Sequence, residues 1–140
     1  MRIFLDANII ISVLNKEYPS FTYTSRILSL GSFKNFTLYT SPICLAIAFY
    51  FAEKKHRAVK AKDKIRLLCE HINITEVGKS AVDKSLKNNR VLDFEDGLEY
   101  YSAIESKCNC IVTEDIDDFH FAEIEVINST NFFEKYMASK

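Results

Sequence analysis

The sequence of 140 residues is poor in the residues that interrupt helices and strands, with only three glycines and two prolines. So few chain breakers predict long helices joined by short connections. The sequence also lacks internal repeats, low-complexity tracts and linkers rich in proline, glycine or serine. These absences predict a single domain that spans residues 1–140.

Signals for membranes and export are missing as well. No apolar run approaches the length that a helix needs to cross a bilayer. The apolar run at the N-terminus is short and is interrupted by an acid, which does not fit a signal peptide. The sequence therefore predicts a soluble, cytoplasmic protein with no membrane partner.

The four cysteines do not show the paired spacing of a metal site. Cys108 and Cys110 form a Cys-x-Cys pair, but no second pair and no nearby pair of histidines completes a zinc site. Cys44 and Cys69 stand alone in the sequence. We expect all four to be reduced thiols with structural roles.

The net charge is only -1, which excludes a protein that binds polyanions over its whole surface. The charges are nevertheless segregated along the chain. Residues 93–125 carry eleven of the nineteen acids and one base, whereas residues 53–66 carry seven lysines and arginines and two acids. The acidic segment repels anions unless a cation binds there, and the basic segment attracts them.

Apolar and β-branched runs alternate with segments of helical periodicity along the chain. Strands are predicted at residues 2–6, 36–40, 72–75, 110–113 and 125–127, with helices between and after them. Strands that alternate with helices favour a parallel sheet that helices cover on both faces. The predicted fold class is α/β, a three-layer α/β/α sandwich with a mostly parallel sheet of about five strands.

Two helix starts bear on the candidate site. A helix over about 9–15 is capped at Asn8 or nearby, and Asp93 is a natural N-cap for the helix before the fourth strand. The core face of that later helix is predicted to be Phe94, Leu98, Tyr101 and Ile104. Asp96 and Glu99 fall on a different face.

A single carboxylate interrupts the apolar N-terminal stretch MRIFLDANIII. Asp6 directly follows the predicted strand Ile3-Phe4-Leu5, and another apolar run begins at Ile9. Burying this acid costs on the order of several kcal/mol unless a partner neutralises it. Asp6 therefore either caps local backbone or binds a cation.

Other acids are predicted near the same end of the sheet. Asp115 follows the fourth strand, and Glu95 and Asp96 lie in the first turn of the preceding helix. If the first and fourth strands are neighbours, these acids meet Asp6 beyond the strand ends, where ligands of such folds bind. Clustered carboxylates raise one another's pKa, and a hard cation removes the repulsion. Ligands that are all oxygen suit Mg²⁺ or Mn²⁺, which can activate water and stabilise a phosphodiester under cleavage.

Most of these acids also have a purely structural explanation. Asp93 fits an N-cap, and Glu95 fits a favourable charge in a first helical turn. Asp117 and Asp118 fit a turn before Phe119. Asp6 fits a structural role least well, because its neighbours on both sides are apolar.

Four segments together resemble PIN-domain proteins, which include the ribonuclease toxins of VapBC toxin–antitoxin pairs. The segments, in the family's order and spacing, are FLDANIIISVL, TSPICLAIAFYFAEK, LDFEDGLEYYSAIESKCNCIVTEDIDDF and EVINSTNFFEKY. The resemblance implies a PIN-like sheet of about five parallel strands. It also implies a site of clustered acids that binds Mg²⁺ or Mn²⁺ and hydrolyses RNA, with an antitoxin protein as partner.

The resemblance also implies roles for individual residues. The implied catalytic acids are Asp6, Asp96 and Asp115. The implied metal ligands are these three and Asp118. Asn8 and Thr113 match polar positions near the site, where Thr113 would orient a ligand or a water, and Glu95 is a supporting acid.

One position departs from the family pattern. The family commonly places a glutamate six residues beyond the serine that Ser41 matches, and this chain has Ile47 there. An isoleucine can neither ligate a metal nor form a hydrogen bond. Glu53 does not replace it, because six further residues place it about two-thirds of a turn around the helix. Glu95 or Glu99 would compensate only if they reach inward.

Two surfaces are candidates for macromolecular contacts. Lys54, Lys55 and Arg57 are candidates for contacts with an RNA backbone, although a solvated helix side explains most of the basic stretch equally simply. The apolar stretch 49–51 is either core or a surface for a second copy or an antitoxin helix. We expect a homodimer.

Three hypotheses for the function remain. The first is a metal-dependent endoribonuclease that acts as the toxin of a toxin–antitoxin pair. The second is a PIN-like RNA- or protein-binding module with weak or no catalysis because of Ile47. The third is a structural protein with an acidic surface patch, and the order of the acids along the chain disfavours it most.

Overall fold

Five strands and seven α-helices form the part of the chain that the computed structural model describes, residues 1–138. The strands are β1 (Arg2–Leu5), β2 (Thr37–Thr40), β3 (Asn73–Ile74), β4 (Cys110–Val112) and β5 (Glu125–Ile127). The helices are α1 (Ala7–Asn15), α2 (Phe21–Ser29), α3 (Pro42–His56), α4 (Ala58–Leu68), α5 (Lys79–Lys87), α6 (Phe94–Glu105) and α7 (Ser129–Phe132). Two 3₁₀ turns, Leu30–Ser32 and Ile116–Phe119, and a π-helical turn, Phe133–Met137, complete the regular structure of these residues.

The five strands form one sheet in the order β3-β2-β1-β4-β5, and every pair is parallel. β1 lies at the centre, with Phe4 opposite Tyr39 of β2 on one side and Ile111 of β4 on the other. The chain first builds the sheet outward from β1 to β3 and then returns to place β4 on the opposite side of β1. This makes the β1–β4 junction the topological switch point. The predicted α/β class is confirmed, and the sheet is parallel throughout.

The pleat of the sheet divides the core into two halves. Ile3 and Leu5 point to one face, where they pack with apolar residues of α1, α3 and α4. Phe4 points to the other face and packs with Tyr100 and Ala103 of α6. All three β1 side chains are at most 1% exposed. Helices therefore cover both faces of the sheet, as the three-layer prediction requires.

Short polar side chains start two of the helices that reach the end of the sheet. The Ser41 hydroxyl accepts a hydrogen bond from the N–H of Cys44 (3.1 Å) and caps α3, with Pro42 in its first turn. The Asp93 carboxylate accepts from the N–H of Glu95 (2.9 Å) and caps α6. The start of α6 lies where the sequence predicts it. No helix within residues 1–138 is long and apolar enough to cross a membrane.

The buried face of α6 differs from the predicted one. The predicted core residue Phe94 is 45% exposed, and Leu98, Tyr101 and Ile104 are only partly buried. The buried positions are instead Gly97, Glu99, Tyr100, Ser102 and Ala103. The helix is rotated because α5 packs tightly against Gly97, where an added Cβ would lie 2.8 Å from the Ser85 hydroxyl oxygen. The rotation turns an acid, Glu99, toward the interior.

Candidate metal centre

The predicted acids converge at the C-terminal ends of β1 and β4. These two strands pair side by side, with Leu5 opposite Val112, so the residues that follow each strand emerge next to each other. A cleft of about 190 Å³ lies there, between these strand ends and the first turns of α6. The acids that line it are Asp6, Glu95, Asp96, Glu99, Asp115 and Asp118. Three separate parts of the chain contribute to this set.

Asp6 is held in place by hydrogen bonds to both of its carboxylate oxygens. Oδ1 accepts from the N–H of Ala7 (2.6 Å), and Oδ2 accepts from the hydroxyl of Thr113 (2.7 Å). The side chain is therefore the N-cap of α1, which is one of the two roles that the sequence leaves open for Asp6, and the cap lies two residues before Asn8. Asp6 is only 8% exposed, yet it lines the cleft. The same carboxylate therefore caps α1 and lines the cleft in which a cation would bind.

The hydroxyl of Thr113 joins the ends of β1 and β4. It donates to Asp6 and accepts from the N–H of Asp115 (3.0 Å) and from Nδ2 of Asn8 (3.2 Å). The Asn8 amide also donates to Oδ2 of Asp115 (3.2 Å), and its oxygen accepts from the N–H of Glu114 (3.2 Å). Asn8 and Thr113 thus fix the relative positions of the acids that follow the two strands.

Glu99 is the most deeply buried acid of the cleft, with 1% of its surface exposed. Its Oε1 accepts a hydrogen bond from the thiol of Cys44 on α3 (2.9 Å), and the same sulfur lies 4.0 Å from Oδ1 of Asp6. Burial, followed by hydrogen bonding to Asp6 and the charge of Asp6, raises the pKa of Glu99 to about 11. Burial and the neighbouring Glu99 raise the pKa of the Cys44 thiol well above its ordinary value. Without a cation, both groups keep their protons at neutral pH.

From the sequence, Glu99 was considered only as an acid that would compensate for Ile47 if it reached inward, and Cys44 was not assigned to the site. A signal for Glu99 was present, because residues three apart on a helix share a face and Asp96 precedes it by three. For Cys44 the signal is weaker: it lies three residues before Ile47 on α3, and an isolated cysteine is usually a small core residue.

The remaining acids of the cleft are crowded. Burial and then the charge of Asp93 raise the pKa of Asp96 to about 7. The pKa values of Glu95 and Asp118 are raised too, in each case chiefly by burial and then by a neighbouring aspartate. The shared direction follows from burial first and from repulsion between neighbouring acids second.

The donors present fit a hard divalent cation. Within residues 1–138 the salt bridges are Arg66–Asp63, Lys79–Asp83 and Lys135–Glu125, and none involves an acid of the cleft. One ligand atom from each of Glu95, Asp96 and Glu99 lies within 4.8 Å of the others, and the same holds for Asp6, Cys44 and Glu99. Carboxylate oxygens with uncompensated charge are the ligands that Mg²⁺ and Mn²⁺ take.

Ile47 occupies the cleft wall that α3 provides. Its side chain is partly buried and packs against the core that contains Phe4. α3 contributes no acid to the lining of the cleft. The position that the family pattern fills with an acid is therefore apolar.

The basic candidates lie elsewhere. Lys54 and Lys55 belong to the last turn of α3, and Arg57 follows that helix. α3 begins at the cleft and has 15 residues, so its far end lies about 20 Å away. The ammonium group of Lys55 donates to the carbonyl oxygen of Asn15 at the end of α1 (2.5 Å). The structure does not bring these three residues to the acids, and the prediction that they bind RNA stays a prediction.

The fold and the cleft define an α/β protein with a carboxylate-lined site at the switch point of a parallel sheet. A family model described as the PIN domain matches residues 2–117. The chain therefore belongs to the PIN-domain family, and the resemblance seen in the sequence is confirmed. No curated protein matches the chain.

Solved structures with the same fold come from toxin–antitoxin systems. VapBC2 of Rickettsia felis, bound to a DNA fragment from its promoter, matches with a TM-score of 0.70 and 20% identity over 91% of this chain and 98% of that chain. VapBC-1 of nontypeable Haemophilus influenzae matches with a TM-score of 0.71 and 21% identity over 93% of this chain and 99% of that chain. VapC20 of Mycobacterium tuberculosis, a toxin that cleaves the sarcin-ricin loop, matches with a TM-score of 0.65 and 14% identity over 88% of this chain and 98% of that chain. At these identities the likeness establishes the fold alone.

Proposed function

We propose that the protein is a metal-dependent endoribonuclease that acts as the toxin of a toxin–antitoxin pair. The observation that carries the proposal is the cleft at the β1–β4 switch point, where six acids meet without a basic partner among the described residues. Membership of the PIN-domain family supports the reaction class, because the family includes ribonucleases.

The acids of the cleft are the groups that would hold the cation. Asp6, Asp96 and Asp115 are the proposed catalytic acids, and Asp118 is the proposed fourth ligand. The chemistry that Mg²⁺ or Mn²⁺ supplies when bound is activation of water and stabilisation of charge on a phosphodiester. Asp6 reaches the site already oriented, because backbone and Thr113 donors occupy both of its oxygens.

Three further residues support these acids. Asn8 and Thr113 position Asp115 and Asp6 through the hydrogen bonds that join the strand ends. Glu95, an exposed residue that lines the cleft, adds negative charge there. We assign positioning roles to Asn8 and Thr113 and a supporting electrostatic role to Glu95.

RNA is the proposed substrate and an antitoxin protein the proposed partner. Support comes from the similar structures, which include two VapBC complexes and a toxin that cleaves an RNA loop. A homodimer is also proposed, since Tyr50 and Phe51 on α3 are 54% and 43% exposed and offer an aromatic surface. The cytoplasm, where RNA and antitoxin meet, is the proposed location.

An RNA-cleavage assay tests the function. The purified protein is stripped of metal with EDTA and incubated with labelled single-stranded and structured RNAs, with or without Mn²⁺ or Mg²⁺. We expect cleavage only when a cation is present, and a loss of about 100-fold or more in Asp96→Asn and Asp115→Asn. Cleavage that survives both substitutions would come from a contaminating nuclease and would contradict the proposal, as would the absence of cleavage by the wild type.

The alternative function is a PIN-like RNA- or protein-binding module without catalysis. The apolar Ile47 in the wall of the cleft is the observation that favours it. Binding of the same RNAs, measured by fluorescence anisotropy in the presence of Mn²⁺, separates the two functions. RNA that is bound but remains intact would support the binding module.

A further inference from the structure

α3 provides no carboxylate to the cleft, but α6 provides Glu99. Ile47 of α3 and Glu99 of α6 line the same cleft, and Cys44 of α3 donates directly to Glu99. We propose that Glu99 is a ligand of the divalent cation and supplies from α6 the carboxylate that the chain lacks at position 47. This inference rests on the proposed function and assigns a role that the family pattern does not contain.

The burial of Glu99 is the first argument. A glutamate that is 1% exposed is costly to bury unless a partner or a proton removes its charge. No lysine, arginine or histidine within residues 1–138 forms a salt bridge with it. Its polar neighbours are two further acidic groups, Cys44 and Asp6. With no basic partner among the described residues, only a proton or a cation can remove the charge of Glu99.

The position of Glu99 among the other acids is the second argument. It is the one residue that belongs both to the group with Asp6 and Cys44 and to the group with Glu95 and Asp96, among the residues that the structure describes. Within each group one ligand atom from every member lies within 4.8 Å of the others. Oxygens that share one Mg²⁺ lie about 3–4 Å apart, so small rotations bring such atoms to a common ion. Glu99 therefore links the acid after β1 to the acids that begin α6.

The hydrogen bond from Cys44 is the third argument. The thiol donates to Oε1 of Glu99 across 2.9 Å, which fixes the carboxylate from the α3 side. Metal-binding carboxylates commonly accept a hydrogen bond from a neighbouring residue, which fixes their orientation. The thiol therefore keeps the Glu99 carboxylate oriented in the cleft.

Titration of Mn²⁺ into metal-free protein, followed by calorimetry, tests the proposal. We expect Glu99→Gln to weaken Mn²⁺ binding by about 10-fold or more, because one charged ligand is lost. Glu105→Gln is the matched control, since it makes the same change at an exposed position near the end of α6. It should bind Mn²⁺ within about 2-fold of the wild type.

A double variant tests whether a carboxylate on α3 can replace the carboxylate of Glu99 on α6. Ile47→Glu combined with Glu99→Gln moves the carboxylate back to α3. We expect this double variant to bind Mn²⁺ at least about 5-fold more tightly than Glu99→Gln alone, since it regains a charged oxygen ligand. Ile47→Glu in the wild-type background is the comparison: if the two carboxylates replace each other, the gain in Mn²⁺ affinity should be smaller there than in the Glu99→Gln background. Equal gains in the two backgrounds would overturn the exchange between the helices.

The outcomes separate failure of the inference from failure of the function. If the wild type binds Mn²⁺ and cleaves RNA but Glu99→Gln binds Mn²⁺ equally tightly, the ligand role is wrong and the function stands. If the wild type does not bind Mn²⁺ at millimolar concentration, both are wrong. Should Glu99→Gln lack a cooperative thermal transition, Glu99→Asp takes its place, and unchanged affinity in that variant would also overturn the ligand role.

Discussion

The hydroxyl of Thr113 has all of its hydrogen-bonding capacity committed to the site. It donates to Asp6 and accepts from Asn8 and from the N–H of Asp115, and a hydroxyl has one proton and two lone pairs. The side chain is fully buried, so water cannot replace any of these bonds. One residue therefore holds an acid from each of the two central strand ends.

Thr113→Val keeps the shape of this side chain and removes its hydroxyl. We expect Mn²⁺ affinity and RNA cleavage to fall by about 10- to 100-fold, because Asp6 loses the donor that orients it. Calorimetry and the cleavage assay measure the two effects. Thr113→Ser keeps the hydroxyl and should retain most of both properties, and an unaffected Thr113→Val would refute the positioning role.

The buried acids also make stability depend on pH in the metal-free protein. The folded-state pKa values of Asp96, about 7, and Glu99, about 11, lie above their ordinary values. The folded protein therefore binds more protons than the unfolded chain, and its stability decreases as pH rises. The protonated acids contribute fully to the stability of the folded protein below about pH 4. As pH rises, the contribution of Asp96 is lost by about pH 7 and that of Glu99 by about pH 11.

Thermal unfolding in EDTA at pH 5.5 and pH 8 checks this dependence. We expect a lower Tm at pH 8, and a smaller difference in Glu99→Gln, which takes up no proton on folding. Glu105→Gln should keep the wild-type difference. At pH 8, Glu99→Gln should raise the Tm by roughly 4 °C or more. An equal Tm at the two pH values in the wild type would show that the pKa values of the cleft acids are not raised in the folded protein.

At the scale of elements, α6 decides the geometry of the cleft. It carries Glu95, Asp96 and Glu99, and its rotation is set by close packing of Gly97 against α5. A Cβ at this glycine would lie 2.7 Å from Val91 Cγ1 and 2.9 Å from Ser85 Cβ. The space beside Gly97 therefore determines which face of the helix points inward.

Gly97→Ala should push α6 away from α5. We expect a loss of about 1–3 kcal/mol in the free energy of unfolding despite the better helix propensity of alanine. Chemical denaturation measures the loss, and weaker Mn²⁺ binding should accompany it. Gly78→Ala serves as the comparison, because an added Cβ there meets nothing within 4 Å. Equal stability of the two variants would contradict the packing argument.

The elements themselves are largely predictable from the sequence, whereas the orientation of a helix is not. β5 begins and ends where predicted, and Asp93 caps α6 as expected, because these features depend on local periodicity and capping. The buried face of α6 was predicted wrongly, since Phe94 and Leu98 follow a helical apolar pattern that the contact at Gly97 overrides. The contact between α5 and α6 is tertiary and leaves no periodic pattern in the sequence.

The same limit applies to the site. Asp6, Asp96 and Asp115 were found because they adjoin strand ends or a helix start, and the sheet order brings those ends together. Backbone capping was one of the two roles expected for Asp6, and the sequence placed the cap only at Asn8 or nearby, because it does not show where the strand ends. Glu99 and Cys44 meet only because α3 and α6 flank the strand ends, and that proximity depends on the tertiary fold.

At the scale of the whole molecule, the helices separate the charges into two ends. The acids lie at the cleft where α1, α3 and α6 begin, and the basic segment lies where α1 and α3 end. Lys55 and Lys64 donate to carbonyl oxygens at the end of α1, a favourable place for cations because of the helix dipole. A net charge of -1 thus hides a strongly acidic end, which repels anions in the absence of a bound cation.

The central claim is that the cleft at the β1–β4 switch point binds a divalent cation through its acids. The most direct measurement is an anomalous difference map from crystals grown with MnCl₂, with diffraction data collected at the manganese absorption edge. We expect a peak between Asp6, Asp96 and Glu99, and its loss in crystals of the Asp6→Asn variant. A map with no peak in the cleft, or with manganese bound only outside it, would contradict the claim.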